Sequence, residues 1–169
     1  GFAIALESLS KLILEESKPE KLKPVPSKIM KGILKQYKEI IDQYSAEITP
    51  EIRSLMHHRL EQINQPTNKA KLRLPFELLG LDLSEKDLQI LDSRNDFLHG
   101  QIPDITKAGK ERSLERKNKD MHYAALRFSI LLNKLIFKWL TYDGHILSQV
   151  RIHGKSTGIR CNEPYYIRL

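Results

Sequence analysis

The residues from Ser84 to Gly100 constrain the fold most, because they carry both the beginning and the end of an amphipathic helix. Ser84 and Asp87 have the spacing of a capping box, in which side-chain oxygens accept hydrogen bonds from free backbone N–H groups. Apolar residues follow at helical spacing, namely Leu88, Ile90, Leu91, Phe97 and Leu98. Gly100 can adopt the left-handed conformation that closes a helix. We therefore expect one continuous helix here, with a polar C-terminal end.

The same periodicity recurs along most of the chain and predicts an all-α fold. Further helices are expected from Phe2 to about Ser17, from Ser27 to about Tyr44, from Pro50 to Ile63, from about Lys69 to Leu79 and from about Leu114 to Tyr142. The dipeptide Thr49-Pro50 is a strong start signal, since Thr caps a helix and Pro has no N–H to leave unpaired. Asp143 and Gly144 are expected to end the last and longest helix.

The second of these helices has an apolar stripe at three- and four-residue steps, made of Ile29, Ile33, Tyr37, Ile40, Ile41 and Tyr44. Lysines mark its solvent side, at Lys28, Lys31, Lys35 and Lys38. This division predicts that the apolar stripe packs against the rest of the protein.

In the C-terminal part of the chain, the helical periodicity gives way to the alternation of a strand. Residues Ile146 to His153 alternate as a strand does, residues 154–158 have the composition of a turn, and Ile159 to Leu169 form a second strand-like segment. We expect a β-hairpin over residues 145–169, appended to a helical domain over residues 1–144. Because a lone hairpin is only marginally stable, it must pack on the bundle, on a partner subunit or on another domain. The chain opens at Gly1 without a Met, so we also expect an additional N-terminal domain in the full-length protein.

Composition narrows the class of partner. The chain has 28 Lys and Arg against 21 Asp and Glu, a net charge of +7. This excess favours an anionic partner, most simply nucleic acid, although a merely basic solvated surface would give the same count. Cys161 is the only cysteine, which excludes an internal disulfide and fits a reducing, cytoplasmic setting. No apolar run has the length that crosses a bilayer, so no membrane partner is expected.

Several common catalytic motifs are missing from the sequence. His57 and His58 are adjacent, so on a helix they point about 100° apart and cannot chelate one ion together. No Gly-x-Ser-x-Gly elbow of a serine hydrolase occurs. The segment from Gly154 to Gly158 lacks the spacing of a phosphate-binding loop. We therefore expect neither a metal ion nor another cofactor.

Arg94, Asn95 and His99 are the best candidates for chemistry. On a helix, Asn95 and His99 lie on one face, and Arg94 is turned by about 100° from Asn95. The three can still converge on one site, because the Arg side chain is long and the helix ends here. Arg offers a permanently charged, planar set of donors that fits a phosphate. His can act as a general acid or base in the cleavage of a phosphodiester, and this type of catalysis needs no metal ion.

Spacing alone does not single out this pair. Arg53 with His58 and Arg116 with His122 have similar separations. The central pair is favoured because Asn95 directly follows the Arg and because the pair ends a well-defined helix.

The run Arg94-Asn95-x-x-x-His99 resembles the Arg-polar-x-x-x-His signature of HEPN domains, helical ribonucleases of many prokaryotic defence and toxin systems. The opening from Phe2 to Ile13 and the final helix running into Trp139 to Gly144 are similar to the ApeA-like branch of that family. The resemblance implies a bundle of four or five helices that dimerises with two motifs facing each other across a two-fold axis. It also implies metal-independent cleavage of RNA through the 2′-hydroxyl, with Arg94 and His99 as the catalytic pair and Asn95 as a polar helper.

The leading hypothesis is therefore an endoribonuclease domain that acts as a homodimer, within an antiviral or growth-arresting bacterial protein. Basic residues of the loop that ends at Lys119 would guide RNA, namely Lys107, Lys110, Arg112, Arg116, Lys117 and Lys119. A loop that is merely solvated is the alternative for these residues. The second hypothesis for the whole chain is a non-catalytic dimerisation or nucleotide-binding module. The third is a structural bundle with a chance motif.

Overall fold

The structure is a computed structural model that describes residues 1–17, 23–99, 101–102, 113–157 and 162–169. The elements in chain order are α1 (Phe2–Ser17), α2 (Ser27–Gln43), α3 (Pro50–Gln62), α4 (Asn68–Leu78), α5 (Glu85–Asp92), α6 (Arg94–Leu98), α7 (Leu114–Trp139), β1 (His145–Leu147), α8 (Gln149–Thr157) and β2 (Tyr166–Arg168). The predicted all-α class is confirmed, with a small two-stranded sheet added. Within the described residues, no helix is both long and apolar enough to cross a membrane.

The chain forms two compact units, one made of Gly1–Lys18 with Lys71–Leu169 and the other of Pro19–Ala70. In the first unit, α1 packs along α7. Leu6 of α1 and Leu131 and Leu135 of α7 are fully buried between them. Burying one such side chain contributes about 1.5–3 kcal/mol. The same core continues through residues of the rest of this unit, namely Leu72, Phe76, Leu81, Ile90, Leu91, Ile146, Val150 and Leu169.

The predicted continuous helix from Ser84 to Gly100 is wrong in one respect, since it is broken at Ser93 into α5 and α6. The Ser93 hydroxyl donates a hydrogen bond to the Ile90 carbonyl at 2.9 Å, and Ser93 itself has ψ near 0°. A serine that bonds back to its own helix in this way competes with the helical ladder. The start of α5 is as predicted, because Ser84 and Asp87 form the complete capping box. Gly100, expected to close the helix, lies outside the described residues.

The long helix α7 also ends differently from the prediction. Ser113 caps its start by accepting a hydrogen bond from the Arg116 N–H at 3.2 Å. Its end precedes Asp143 and Gly144, because Thr141 takes a left-handed conformation with φ of 61°. The Tyr142 N–H then reaches the Phe137 carbonyl at 2.9 Å, the closing bond of a Schellman motif.

The predicted strand over residues 146–153 is wrong beyond its first residues. Only His145–Leu147 is a strand, and it pairs antiparallel with Tyr166–Arg168. Residues Gln149–Thr157 instead form α8, because Ser148 caps a helix there and accepts a hydrogen bond from the Arg151 N–H at 3.3 Å. The two ends of the tail therefore pair as expected, but a helix lies between them. The domain boundary predicted after residue 144 stays a prediction.

The second unit is a helical hairpin of α2 and α3. Its two helices run antiparallel, since the side chain of Asn64 bonds to both backbone groups of Val25, and Lys38 pairs with Glu61 at 2.8 Å. Thr49 and Pro50 begin α3 as predicted, with the Thr49 hydroxyl accepting from the Ile52 N–H at 3.4 Å. The apolar stripe predicted for α2 is buried only at Ile41, while its other five members are exposed.

Candidate functional site

The candidate site is built on α6, a one-turn helix that lies against α1. Arg94 begins α6 and is only 8% exposed. One terminal nitrogen of its guanidinium donates to the Glu7 carboxylate of α1, and the other donates to Oδ1 of Asn95 at 2.8 Å. These two acceptors hold the plane of the guanidinium in one orientation. Sequence reasoning missed Glu7, which stands in α1, 87 positions before Arg94.

The Nε atom of Arg94 is buried and has no hydrogen-bond partner within the described part of the chain. An unpaired buried donor costs about 1–3 kcal/mol, so an additional acceptor at this edge of the guanidinium would be favourable. Glu7 is the charged partner of Arg94, and its side chain is 47% exposed. A phosphate could therefore approach the same cation from the solvent side only in competition with this carboxylate.

Asn95 and His99 are both exposed, and the backbone N–H of His99 donates to the Asn95 carbonyl at 3.1 Å. This i,i+4 bond keeps the two residues on one face of the helical turn, as predicted. The Gln101 N–H closes the turn on the Asp96 carbonyl at 2.7 Å. Arg94, in contrast, is turned inward to α1. Within one chain, the side chains of Arg94 and Asn95 are therefore hydrogen-bonded. Arg94 and His99, which both belong to the described residues, share no side-chain hydrogen bond.

The proposed RNA-guiding residues divide into two groups. Lys107, Lys110 and Arg112 lie outside the described residues. Arg116, Lys117 and Lys119 were assigned to the RNA-guiding loop, which is wrong, because all three lie in the first two turns of α7, which begins at Leu114 as the helical periodicity predicts.

The basic residues at the start of α7 are partly neutralised by neighbours on the same helix. Lys119 pairs with Glu115 at 2.6 Å, and the Arg116 side chain lies 3.9 Å from Asp120. Lys119 lowers the pKa of the Glu115 carboxyl through a hydrogen bond and its charge. The Lys119–Glu115 pair is exposed and therefore weak, so an RNA phosphate could displace it. Asp120, in contrast, is only 4% exposed.

A second charged cluster, which sequence reasoning missed, lies in the core of the first unit. Asp87 is 2% exposed and accepts hydrogen bonds from Arg127 at 2.8 Å and from Lys134 at 3.3 Å. Arg127 also donates to Glu163 of the C-terminal tail. The cluster borders a cavity of about 420 Å³. The signal for it was present, since Lys134 interrupts the most apolar segment of the chain and a lysine there needs a buried partner.

Three cations face two carboxylates in this cluster, since Lys86 also pairs with Glu163 at 3.3 Å. Burial by itself would raise the pKa of Asp87, but the charges of Lys134 and Arg127 and the hydrogen bonds from Ser84 and Arg127 together hold it below the ordinary value of 3.8. The cluster joins α5, α7 and the tail through side chains that are already paired with one another. We therefore assign it a structural role.

The two other Arg/His matches are engaged elsewhere. In the hairpin, Arg53 lies 3.9 Å from Asp42, and His58 bonds to Gln62 at 2.8 Å. The ring of His122 in α7 contacts that of His153 in α8, with centroids 4.3 Å apart and the planes tilted by 56°. Desolvation and the neighbouring His122 lower the pKa of His153.

Among the described residues, no group of three or more His, Cys, Asp or Glu side chains is arranged to hold a metal ion. The assignment of Arg94, Asn95 and His99 as a catalytic set stays a prediction. No family model, curated protein or solved structure matches this chain.

Proposed function

We propose that this chain is a metal-independent endoribonuclease domain of the HEPN type that acts as a homodimer. The observation that carries the proposal is the pair of contacts made by Arg94, whose guanidinium is fixed by Glu7 and Asn95 at the base of a turn that presents His99 to solvent. A fixed guanidinium beside an exposed imidazole supplies charge stabilisation and proton transfer, the two needs of phosphodiester cleavage.

In the proposed reaction, the 2′-hydroxyl of RNA attacks the adjacent phosphorus and loses its proton to a base. The bond from phosphorus to the 5′-oxygen breaks, and that oxygen takes a proton from an acid. The products are a 2′,3′-cyclic phosphate and a 5′-hydroxyl. Arg94 stabilises the charge that develops on the phosphoryl oxygens, and Asn95 keeps Arg94 oriented.

One His99 cannot be base and acid in the same step. Two copies of the chain supply two imidazoles, one for each proton transfer, which is the chemical reason for the proposed homodimer. It also accommodates the inward turn of Arg94, because the Arg94 of one copy can serve the scissile phosphate together with the His99 of its partner copy.

The test is cleavage of a fluorescent RNA by the wild-type chain and by His99→Ala. Removing a general acid or base costs about 10²- to 10⁴-fold in rate, so we expect a loss in that range with folding unchanged. His58→Ala is the matched control, because His58 belongs to the Arg/His pair of the hairpin and should leave the rate unchanged. A DNA of the same sequence should stay intact, since it lacks the attacking hydroxyl, and EDTA should have no effect. Unchanged cleavage by His99→Ala would refute the proposal.

The second candidate function is a non-catalytic module that binds RNA or a nucleotide. The buried Nε atom of Arg94, unpaired among the described residues, favours it, because this donor could bind an acceptor of a ligand while the pair with Glu7 stays intact. It predicts no cleavage by the wild-type chain and loss of RNA or nucleotide binding in Arg94→Ala.

A wider expectation concerns biological context. The resemblance to HEPN domains supports a role as the effector part of an antiviral or growth-arresting protein. Expression of the wild-type chain should then slow bacterial growth, and His99→Ala should not.

A further inference from the structure

The outer surface of α2 carries a row of exposed apolar side chains. They are spaced by three or four residues along the whole helix, at Ile29, Ile33, Tyr37, Ile40 and Tyr44, and are 36% to 58% exposed. Met30 and Ile41, each next to a member of the row, are buried instead. The inner seam of the hairpin is therefore filled by other residues, and the row is additional apolar surface.

Helix α3 has a matching row. Ile52, Met56 and Ile63 are 40% to 61% exposed, although they recur at helical spacing. Asn64, which follows Ile63, is buried against the start of α2 through its bonds to Val25. In both helices, each of these exposed residues comes one position before a residue that faces the partner helix, as Ile63 precedes Asn64 and Ile40 precedes Ile41.

Both rows lie on the same side of the hairpin. A step of one residue turns a side chain by about 100° around a helix. In two antiparallel helices, the residues just before the inward-facing ones point to the same side of the plane that contains both axes. The two rows therefore form a single surface, which we call the apolar face of the hairpin.

The apolar face is larger than a soluble monomer usually exposes. About half of each of its eight large side chains is exposed. With the roughly 150–250 Å² of a large side chain, this corresponds to about 700 Å². Contiguous apolar patches above a few hundred Å² mark interaction sites, and a stable interface buries about 800 Å² on each partner.

The charges of α2 lie away from this face. Lys28, Lys31 and Lys35 are turned by more than 120° from the centre of the row, while its open edge carries Gly32 and Gln36. The α3 row carries one exposed cation, Arg59, between Met56 and Ile63. A polyanion would otherwise meet apolar side chains along this face. A mostly apolar, self-complementary strip fits a second identical strip, because a two-fold axis brings the same patch of both subunits together.

We infer that the apolar face of the hairpin packs against the same face of a second copy of this chain, forming a four-helix interface. The inference goes beyond the proposed function, because it involves none of the residues of the candidate site. The spacing of three and four residues over four turns is the pattern by which helices pack ridges into grooves.

The test is sedimentation equilibrium of the full chain at micromolar concentration. The wild type should have twice the monomer mass of 19.6 kDa. Ile33→Glu combined with Ile40→Glu should weaken self-association by about 100-fold or more, because each dimer would bury four unpaired carboxylates. Lys31→Glu combined with Lys35→Glu is the matched control on the opposite side of α2 and should remain dimeric. Circular dichroism must show native helicity in all variants.

A cross-link gives a second readout that does not depend on destabilising the hairpin. In a Cys161→Ser background, Tyr37→Cys near the middle of the row should form a reducible dimer under mild oxidation, and Lys35→Cys should not. A monomeric wild type, or a dimer that survives the two Glu substitutions, would overturn the inference. An RNA assay on the same samples separates the two proposals. A dimer without RNA cleavage leaves this inference standing, and RNA cleavage by a dimer that survives the two Glu substitutions overturns it while the proposed function stands.

Discussion

The guanidinium of Arg94 has two hydrogen-bond acceptors, Asn95 and Glu7, of which only Glu7 carries a charge. This charge affects any phosphate that approaches Arg94. A carboxylate on the guanidinium repels an RNA phosphate and occupies a donor that the phosphate could use. It also keeps the guanidinium at the base of α6. Glu7 is thus expected to position Arg94 at some cost in RNA affinity.

We therefore predict that Glu7→Gln strengthens RNA binding several-fold, because Gln keeps an acceptor for Arg94 while the negative charge is removed. The measurement is fluorescence anisotropy with a non-cleavable RNA. Both Glu7→Gln and its reference carry His99→Ala, so that no RNA is cleaved. Glu15→Gln is the matched control, since Glu15 lies on the same helix and pairs only with exposed Lys11 among the described residues. Weaker binding by Glu7→Gln would mean that the carboxylate assists the phosphate instead of competing with it.

Thr141 has an unfavourable backbone conformation, because it closes α7 with φ of 61°. A left-handed conformation costs an ordinary residue about 1–2 kcal/mol, and glycine adopts it freely. We predict that Thr141→Gly raises the free energy of unfolding by up to about 1 kcal/mol. Urea unfolding measures it. Thr141→Ala keeps the Cβ atom and the strain, so an equal gain from Thr141→Ala would contradict this explanation.

Among the elements, α5 depends on a buried charge. Asp87 both caps its first turn and neutralises Arg127 and Lys134. Removing one partner of a buried ion pair costs about 3–5 kcal/mol, because the other charges stay buried without compensation. We predict this loss for Asp87→Asn by urea unfolding. Asp92→Asn, which removes the more exposed pair with Arg73, should cost at most about 1 kcal/mol. A similar cost for both would show that burial is not the cause.

The lowered pKa of Asp87 gives the same element a pH dependence. A carboxyl with a lower pKa in the folded state binds fewer protons there than in the unfolded chain. Its stabilisation is therefore complete above its ordinary value of 3.8 and is lost as the pH falls from 3.8 through the lowered value. Wild type should lose this part of its stability in that acidic range, and Asp87→Asn should lack the corresponding slope.

The helices illustrate how far the sequence is informative. The Thr49-Pro50 start and the Ser84/Asp87 cap are local signals, and both are confirmed because the atoms involved are neighbours in the chain. The break at Ser93 has a local part, the bond from its hydroxyl to the Ile90 carbonyl, but it also accompanies the burial of Arg94 against Glu7 of a distant helix. No local pattern contains that contact.

The tail shows a second reason for a wrong prediction. Ile146 and Val150 are four apart, a spacing that suits a helix, although Val150 and Ile152 also fit the alternation of a strand. Periodicity cannot separate the two in so short a segment. Ser148 was the deciding signal, because its hydroxyl caps α8. Of the candidate site, the sequence identified Arg94, Asn95 and His99, but Glu7 could not be identified without the fold.

At the scale of the whole molecule, the net charge of +7 bears on RNA binding. Each phosphate neutralised on a single strand contributes about 0.7 to the slope of log affinity against log salt. If Arg116, Lys117 and Lys119 guide RNA, replacing all three by Gln should reduce that slope by about 2. The same change at Lys28, Lys31 and Lys35 removes equal charge from α2 and should have less effect. Equal reductions would indicate a response to overall charge alone.

A one-turn helix has no stability of its own, because a single turn cannot repay the entropy of ordering its backbone. The five residues of α6 therefore owe their helical geometry to α1, through Glu7 and Arg94. Such a segment can open while α1 and α7 stay packed, so its amide protons exchange through a local opening far less costly than global unfolding. The proposed activity could then be lost by substitutions in α1 that leave the melting temperature almost unchanged. We therefore expect the helical geometry of α6 and the global free energy of unfolding to respond separately to substitutions in α1.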